Sequence, residues 1–476
     1  MSAATPSVVP SISPVRLHTI IAGLWFCLFI SALDKTIVTT ALIKISSGFN
    51  ALEQAAWLVT TYLLIYNRLK TVLLACGAIF LVFSMACGAA QTMTQLIVFR
   101  AFQGIGGSGL LASYTGVISS VFTMSNLLGP LLGGIIADRT TWRWIFFING
   151  PICAVALVLI FFSMPSLKDS KSNAERIRGL DGVGGILSRT KTNPIFPIRF
   201  LQNPSMALIL LIMFLLGMPF YVIFVQLPQR FQTVNFTTAE RAGILLLPCT
   251  LVSPVGAMAA GPVAKEVATE YVLILSAAIV CVGTGLMGSL PTASHLWPGI
   301  YGYEVIVGLG LGLASPPYFM LLTTSIAERD ISVGTSALNM MRTLGGCVAV
   351  AICTAVHREY TTDRLTAYLS PQQIAAVQTS STALAQMPET LRAETAAIFG
   401  ASYNRQFLIM LAFTALNVLV TVLLAVVRKR MGVFGTLEQP NQDNALIAAD
   451  WEQKPRCVQA AGRTNDSEEL VASEQT

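Results

Sequence analysis

The sequence predicts an all-α polytopic membrane protein with six helices on each side of a central polar segment. Composition is the first reason: of 476 residues, 54% are hydrophobic and 11% are charged, and the mean hydropathy is +0.66. Soluble proteins carry charge on about a quarter of their residues. A water-soluble core of this length could not hide so many apolar side chains, so soluble enzymes and nucleic-acid binders are excluded.

The second reason is the spacing of the apolar runs. A helix needs about twenty residues to cross ~30 Å of hydrocarbon. Ten runs approach or exceed this length, at 17–43, 71–90, 96–118, 143–163, 205–226, 242–262, 271–290, 299–323, 333–356 and 406–428. Two shorter runs, 55–66 and 126–137, complete a predicted set of twelve helices.

Loop charge is the third reason, because cytoplasmic loops collect Lys and Arg. With a cytoplasmic N-terminus and an even number of helices in each half, the basic central segment and the basic residues that follow the last helix both lie in the cytoplasm. The predicted organisation is a cytoplasmic tail (1–16), an N-terminal bundle (17–163), a cytoplasmic linker (164–203), a C-terminal bundle (204–430) with an extracellular loop of loose helical turns at 358–404, and a disordered cytoplasmic tail (431–476).

Charged residues inside membrane helices are costly, so each is a candidate for function. Asp34 lies mid-helix in the first helix, where a poorly hydrated carboxylate can bind protons reversibly; the alternative is a polar pair with Lys35 at a wet helix end. Arg100, early in the fourth helix, either tunes such a carrier or snorkels to the outer interface. Glu304 and Arg342, in the tenth and eleventh helices, either pair, line the cavity or have a structural role. The candidates for proton coupling are Asp34, Arg100, Glu304 and Arg342.

Two glycine clusters predict close packing between helices. The first matches GxGxxG formally, but no strand precedes it, so helix packing is favoured over a dinucleotide site at Gly104, Gly106 and Gly109. The second combines a GxxxG spacing with a proline that removes one backbone hydrogen bond, and predicts a tight, bent contact at Gly129, Pro130, Gly133 and Gly134.

No cofactor is indicated by the sequence. The nine cysteines are odd in number and form no CxxC pair, so neither a disulfide framework nor a metal site is predicted. The absence of a GxxxxGK[ST] motif argues against an ATP-driven pump. Asn235 begins an N-x-T sequon on an outer loop and is the candidate glycosylation site, although its closeness to the membrane disfavours modification.

Several segments occur in a recognisable order. They are Leu33–Val38 in the first helix, Trp57–Leu64 in the second, Arg100–Gly109 in the fourth, Gly129–Gly134 in the fifth, Thr141–Asn149 entering the sixth, and Leu227–Gln232, Ala242–Pro248 and Arg342–Gly346 in the second half. Together they resemble the major facilitator superfamily, specifically its drug:proton antiporter branch with fourteen helices, which includes fungal toxin and secondary-metabolite efflux pumps. The resemblance covers most of residues 17–430.

The resemblance implies two six-helix bundles around a central cavity and proton-coupled efflux of a small hydrophobic compound, such as a toxin, drug or fungal secondary metabolite. Asp34 is then the first candidate for the proton carrier, Arg100 its electrostatic tuner, and Gly129–Gly134 the antiporter motif. The expected partners are the cargo, protons and the bilayer, with no nucleic acid and no cofactor. The expected protein is a monomer in the plasma membrane, or alternatively in a vacuolar or vesicle membrane, with both termini cytoplasmic.

The chain departs from the fourteen-helix pattern at three short junctions, near 66–70, 118–126 and 187–191. By the resemblance, these junctions lack two loops and a pair of central helices, and losing two helices preserves the topology. Two alternatives stay open: proton-coupled uptake of a nutrient or siderophore, and a shortened member that does not transport. Helices rich in Phe, Leu, Met and Gly favour hydrophobic cargo over charged nutrients.

Overall fold

The computed structural model of the protein describes residues 29, 33, 34, 37, 70–111, 118–163, 199–326, 330–370, 372–374, 377, 384 and 387–435. Every long regular element in this part of the chain is a helix, which confirms the all-α prediction. The predicted second helix at 55–66 and the junction near 187–191 lie outside the described residues. Most of the first helix, the linker and the C-terminal tail also lie outside them.

The first half contains five described helices. In chain order they are α1 (Lys70–Ala89), α2 (Met93–Leu111), α3 (Ile118–Arg139), α4 (Trp144–Phe147) and α5 (Asn149–Ser163). The helices α1, α2 and α3 are the third, fourth and fifth predicted helices. The sixth is divided at Ile148 into α4 and α5.

The boundaries predicted around α3 are wrong. The short helix expected at 126–137 is a helix of 22 residues, or about 33 Å, and residues 118–126 belong to it rather than to a junction. The helix expected at 96–118 is described over Met93–Leu111, and residues 112–117 lie outside the described part of the chain. Polar residues in the first turns of α3 obscured its start, but Ser125 donates a hydrogen bond of 3.2 Å to the Phe29 carbonyl, so a neighbouring helix satisfies this hydroxyl without water.

The second half contains eight helices among the described residues: α6 (Arg199–Gln202), α7 (Pro204–Thr233), α8 (Ala239–Leu245), α9 (Leu247–Glu266), α10 (Thr269–Met287), α11 (Ile300–Ser325), α12 (Ile331–Leu365) and α13 (Glu389–Arg430). Together, α8 and α9 form one membrane segment with a break at Leu246. Six segments in this half are long and apolar enough to cross a membrane, the number predicted for the C-terminal bundle. One apolar core runs through the buried faces of both halves.

The loose helical turns predicted for 358–404 are wrong at both ends of that segment. The helix α12 continues to Leu365, and α13 already begins at Glu389. These extensions contact each other: His357 Nδ1 lies 2.9 Å from Ser402 Oγ, and the Arg405 guanidinium lies 4.6 Å from the centre of the Tyr360 ring. These contacts stabilise the extended ends of α12 and α13, and the hydropathy pattern alone does not predict them.

Polar contacts between elements occur at two opposite ends of the molecule. We call the first the Arg139 end, because α3 ends there at Arg139, and α7 ends there as well. At this end, Arg230 donates a hydrogen bond of 2.6 Å to the Pro291 carbonyl in the α10–α11 connection. At the opposite, Arg428 end, a buried ion pair of 2.7 Å joins Arg428 of α13 to Glu270 of α10. Polar contacts therefore join elements of the second half at both ends.

Candidate functional site

A buried ion pair joins Asp34 of the first helix to Arg100 of α2 through Oδ2 and Nη1. The Asp34 side chain is 0% exposed and that of Arg100 is 1% exposed. The alternative given for each residue in the sequence analysis is therefore wrong. Asp34 does not lie at a wet helix end, and Arg100 does not snorkel to the interface. The structure brings the first two predicted site residues into direct contact.

Neutral side chains supply further hydrogen bonds to this ion pair. Asn149 Nδ2 donates to Asp34 Oδ1 at 2.9 Å, and Gln103 Nε2 donates to the same oxygen at 3.3 Å. Gln103 Oε1 accepts from Arg100 at 2.9 Å, so one amide bridges both charges. Ser84 Oγ lies 3.1 Å from Asn149 Nδ2 and extends the cluster to α1. All five side chains are buried, and together they form the Asp34 network.

The sequence analysis did not single out Ser84, Gln103 or Asn149. Gln103 carries a usable signal, because it lies three residues after Arg100 and therefore on the same face of α2. Asn149 is the first residue of α5, where the break at Ile148 separates it from α4. A neutral polar residue in an apolar run indicates a helix contact but not which contact.

The formal charges of Asp34 and Arg100 cancel within the Asp34 network. Buried ions are tolerated when they are paired and hydrogen-bonded. Neutralising Asp34 would remove this negative partner from Arg100. The network joins the first helix, α1, α2 and α5, so a change of charge on Asp34 would alter the contacts among four helices.

The two halves of the chain meet along a glycine-rich seam between α3 and the α8–α9 segment. A Cβ atom added at Gly134 would lie 2.8 Å from the Cα atom of Glu240, and one at Gly243 would lie 3.0 Å from the Pro130 carbonyl carbon. On another face of α3, a Cβ at Gly133 would lie 3.1 Å from the Cα of Ile37. Glycine permits these backbone approaches, and Gly129 and Pro130 are buried beside them.

Charged groups join the halves at the Arg139 end of this seam. Arg139 forms a bidentate ion pair with Glu240, with N–O distances of 2.8 and 3.1 Å. The backbone N–H of Glu240 donates to Asp138 Oδ2 at 2.5 Å. Because the Arg139 side chain is 70% exposed, solvent screens the pair and it contributes little to stability. We call Asp138, Arg139 and Glu240 the seam latch, which the sequence analysis missed because its partners lie on different helices.

The structure does not bring Glu304 and Arg342 together as an ion pair. Glu304 is 0% exposed, and among the described residues its carboxyl group lies against the backbone of Cys249 rather than against a charged side chain. Arg342 is half-buried, with its guanidinium 5.2 Å from the centre of the Phe220 ring. The pairing left open by the sequence is therefore wrong, and neither residue belongs to the Asp34 network.

The remaining candidate residues lie outside the Asp34 network and outside the seam. A Cβ at Gly106 would lie 2.9 Å from the Cα of Phe80, so α2 packs closely on α1 there. Gly104 is buried in α2, and Gly109 lies in the same helix but outside the residues whose surroundings are described. Asn235 Nδ2, the atom to which a glycan would attach, donates a hydrogen bond of 3.1 Å to the Ser294 carbonyl. This contact disfavours glycosylation.

Residues 111–350 match the Major Facilitator Superfamily. The chain is 32% identical over 498 residues to the "MFS-type transporter FPY5" of Fusarium mangiferae, with 86% of this chain and 83% of that protein covered. The chain belongs to the major facilitator superfamily. This facilitator is therefore a multi-pass membrane transporter rather than an enzyme.

Other relatives of this facilitator carry more specific names. It is 27% identical to the "Rubrofusarin-specific efflux pump aurT" of Gibberella zeae, with 85% of this chain and 88% of that protein covered. It is also 27% identical to the "Efflux pump aunC" of Aspergillus niger (strain ATCC 1015), with 72% of this chain and 80% of that protein covered. Both alignments extend over most of the two proteins compared.

Solved structures share the fold of this facilitator at low sequence identity. A bacterial homolog to the human lysosomal transporter Spinster, in an inward-facing and occupied conformation, gives a TM-score of 0.67 at 13% identity, covering 87% of this chain and 97% of that chain. An auto-inhibited POT family peptide transporter gives 0.55 at 13% identity, covering 88% and 97%. These likenesses confirm the predicted major facilitator architecture.

Proposed function

We propose that this facilitator exports a small hydrophobic organic compound in exchange for protons. Relatives named as efflux pumps, including one named for rubrofusarin, support export and an organic cargo. The helices provide mainly apolar side chains, which suits a hydrophobic compound better than a charged nutrient.

The observation that carries the proton-coupling proposal is the Asp34 network. In this proposal Asp34 is the proton carrier, and Arg100 is its fixed counter-charge. Gln103 and Asn149 orient the carboxylate, because each donates an amide hydrogen to Oδ1. A proton on Asp34 weakens the contact with Arg100, and the resulting change in helix packing favours a different conformation.

The second part of the proposal is alternating access across the glycine seam. The seam latch and the contact of Gly243 with Pro130 join the two halves at the Arg139 end. Opening a path at that end requires α3 to separate from α8 and α9. The seam is therefore the closed gate of one conformation, and rocking of the two halves opens it.

Orientation and location complete the proposal. The basic residues of the linker and of the last turn of α13 support a cytoplasmic Arg428 end, with both termini on that side and the Arg139 end facing outward. The plasma membrane is the proposed location, because an exporter there removes its cargo from the cell. A monomer suffices, since the Asp34 network and the seam are both formed within one chain.

The experiment measures export of a lipophilic fluorescent dye and of rubrofusarin by cells that express the full chain. Asp34→Asn keeps the size of the side chain but cannot carry a proton, so export should fall to the background of cells without the protein. Glu359→Gln, an exposed residue of α12, is the matched control and should export normally. Normal export by correctly inserted Asp34→Asn refutes the coupling role, and no export by the unmodified chain refutes the function.

A further inference from the structure

An aromatic and basic cluster lies between α7 and α12. Arg342 of α12 places its guanidinium 5.2 Å from the centre of the Phe220 ring of α7. The Tyr221 hydroxyl lies 3.3 Å from Thr343 Oγ1, and the centres of the Tyr221 and Phe220 rings are 5.2 Å apart. A third ring, that of Phe224, has its centre 4.8 Å from that of Phe220. We call these residues the α7–α12 cluster.

The α7–α12 cluster lies deep in the membrane. Phe220 is about 24 Å along α7 from Pro204, close to the middle of a helix of 30 residues. The Arg342 backbone lies beside the same part of α7, because a Cβ added at Gly217 would be 2.9 Å from the Arg342 Cα. An arginine at such a depth is costly, and it faces the interior of a bundle or a water-filled space rather than lipid.

The accessible surface of Arg342 faces the inside of the protein. Exposed apolar residues mark one face of α12, and they include Met340 and Leu344, four residues apart. Arg342 lies on the opposite face, since two residues correspond to a rotation of about 200°. Its neighbours on that face, Leu338 and Gly345, are buried, but Arg342 itself is only partly buried. The surface that remains accessible therefore borders a space between helices.

Close contacts between α7 and α12 hold the cluster in place. A Cβ at Gly345 would lie 2.8 Å from the Phe214 carbonyl carbon, and one at Gly346 would lie 2.8 Å from the Tyr221 Cβ. These glycines let the two helices approach closely, which limits the movement of the side chains beside them. Phe220 and Tyr221 are partly buried, as Arg342 is, so the rings and the guanidinium border the same space.

The chemistry of the cluster suits an aromatic compound that carries an acidic oxygen. A guanidinium has five N–H donors, more than a single neighbour occupies, and it binds a carboxylate or phenolate oxygen through charge-assisted hydrogen bonds. The rings of Phe220 and Tyr221 offer apolar faces against which another planar ring packs. A compound without a ring would not use these faces, and a compound without an acidic oxygen would not use the charge.

We propose that the α7–α12 cluster is a cargo-binding subsite for aromatic compounds that carry an acidic hydroxyl or carboxyl group. Arg342 binds the oxygen of that group, and Phe220 and Tyr221 pack against the ring. This inference rests on the proposed function and narrows its cargo from hydrophobic compounds in general to aromatic acids and phenols. The subsite is separate from the Asp34 network, which lies in the other half of the chain.

The experiment compares two probes that differ in one group, 2-naphthoate and its neutral methyl ester. Binding of each probe to the full chain in lipid nanodiscs is measured by titration calorimetry at neutral pH, with empty nanodiscs as the blank for partition into lipid. The parent protein should bind 2-naphthoate more tightly than the ester. A hydrogen bond to a charged group corresponds to a difference in affinity of about 10- to 150-fold.

Variants assign this preference to the cluster. Arg342→Met removes the guanidinium but keeps a long side chain, so the affinity for 2-naphthoate should fall by about that factor while the affinity for the ester stays close to that of the parent. Phe220→Leu should weaken both probes alike, because both carry the ring. Arg405→Met is the matched control, because Arg405 also lies over a ring, that of Tyr360, but outside the cluster. It should bind both probes as the parent does.

Two results overturn the proposal: equal affinities of the parent for the two probes, and an unchanged preference in Arg342→Met. Export by the parent chain is measured separately and tests the proposed function. No export together with an intact preference for 2-naphthoate refutes export and supports the subsite. Export together with equal affinities for the two probes refutes the subsite alone.

A second measurement uses the parent protein and covers the case in which Arg342→Met does not insert. 4-Benzoylbenzoate is an aromatic carboxylate that forms adducts with nearby C–H groups under ultraviolet light. Adducts mapped by mass spectrometry should lie within 214–228 of α7 or 338–350 of α12, and excess 2-naphthoate should prevent them. Adducts confined to other helices, or adducts that 2-naphthoate does not prevent, overturn the proposal without use of any variant.

Discussion

Adding one methyl group at Gly243 should open the gate at the Arg139 end. A Cβ there would lie 3.0 Å from the Pro130 carbonyl carbon and 3.5 Å from the Leu131 nitrogen, and both are backbone atoms that cannot rotate away. Carbon atoms prefer separations of about 3.5–4.0 Å, so α3 must retreat by about 0.5–1 Å. Overpacking of this kind costs about 1–3 kcal/mol, and only the closed conformation bears it.

The expected shift follows from this energy. At 1.4 kcal/mol per factor of ten, Gly243→Ala should raise the open-to-closed ratio by about 5- to 150-fold. The gain in helix propensity from Gly to Ala occurs in both conformations and cancels. Distances between spin labels at Thr140 and Arg241 measure the ratio directly.

Gly261→Ala provides the matched control for this prediction. Gly261 lies in α9, and no atom lies within 4 Å of its added Cβ, so the distance distribution should match that of the parent protein. The reasoning is refuted if Gly243→Ala and Gly261→Ala give the same distribution. That result would mean that the seam is not a gate, or that α3 yields without cost.

Three further substitutions test the other contacts. Glu240→Gln removes the exposed ion pair of the seam latch and should raise the open-to-closed ratio by no more than about fivefold. In the same distance measurement, this increase should become smaller at high salt. Arg428→Met leaves the buried carboxylate of Glu270 without its partner and should cost about 3–5 kcal/mol of stability, read as a lower melting temperature in detergent, with recovery when Glu270→Gln is added. Asn149→Ala removes one donor to Asp34 and should shift the pH profile of export without abolishing it; an unchanged profile would exclude a positioning role.

The sequence was sufficient for the fold class, because apolar runs report the spanning helices directly. It failed at helix boundaries for a physical reason. The start of α3 contains Ser125, whose hydroxyl bonds to the first helix, and hydropathy cannot distinguish this satisfied group from a loop residue. The extensions of α12 and α13 were missed because they depend on contacts such as the one between His357 and Ser402.

The candidate site was predictable only in part. The cost of a buried charge indicated Asp34 and Arg100 individually, and the structure brings them together. Gln103 and Asn149 were missed because a neutral polar residue in an apolar helix does not reveal its partner. The same limit applies to Glu304, whose contact with the Cys249 backbone depends on how α11 packs against α9, a property that no single helix sequence contains.

Proton flow through the purified protein tests the central claim most directly. The full chain would be reconstituted in sealed liposomes with a pH-sensitive dye inside, and a lipophilic substrate would be added under an imposed pH gradient. Substrate transport should be accompanied by proton movement in the opposite direction, and Asp34→Asn should abolish the proton movement. Substrate transport at an unchanged rate after the gradient has been collapsed, with no change in dye signal, would contradict proton exchange as the driving force.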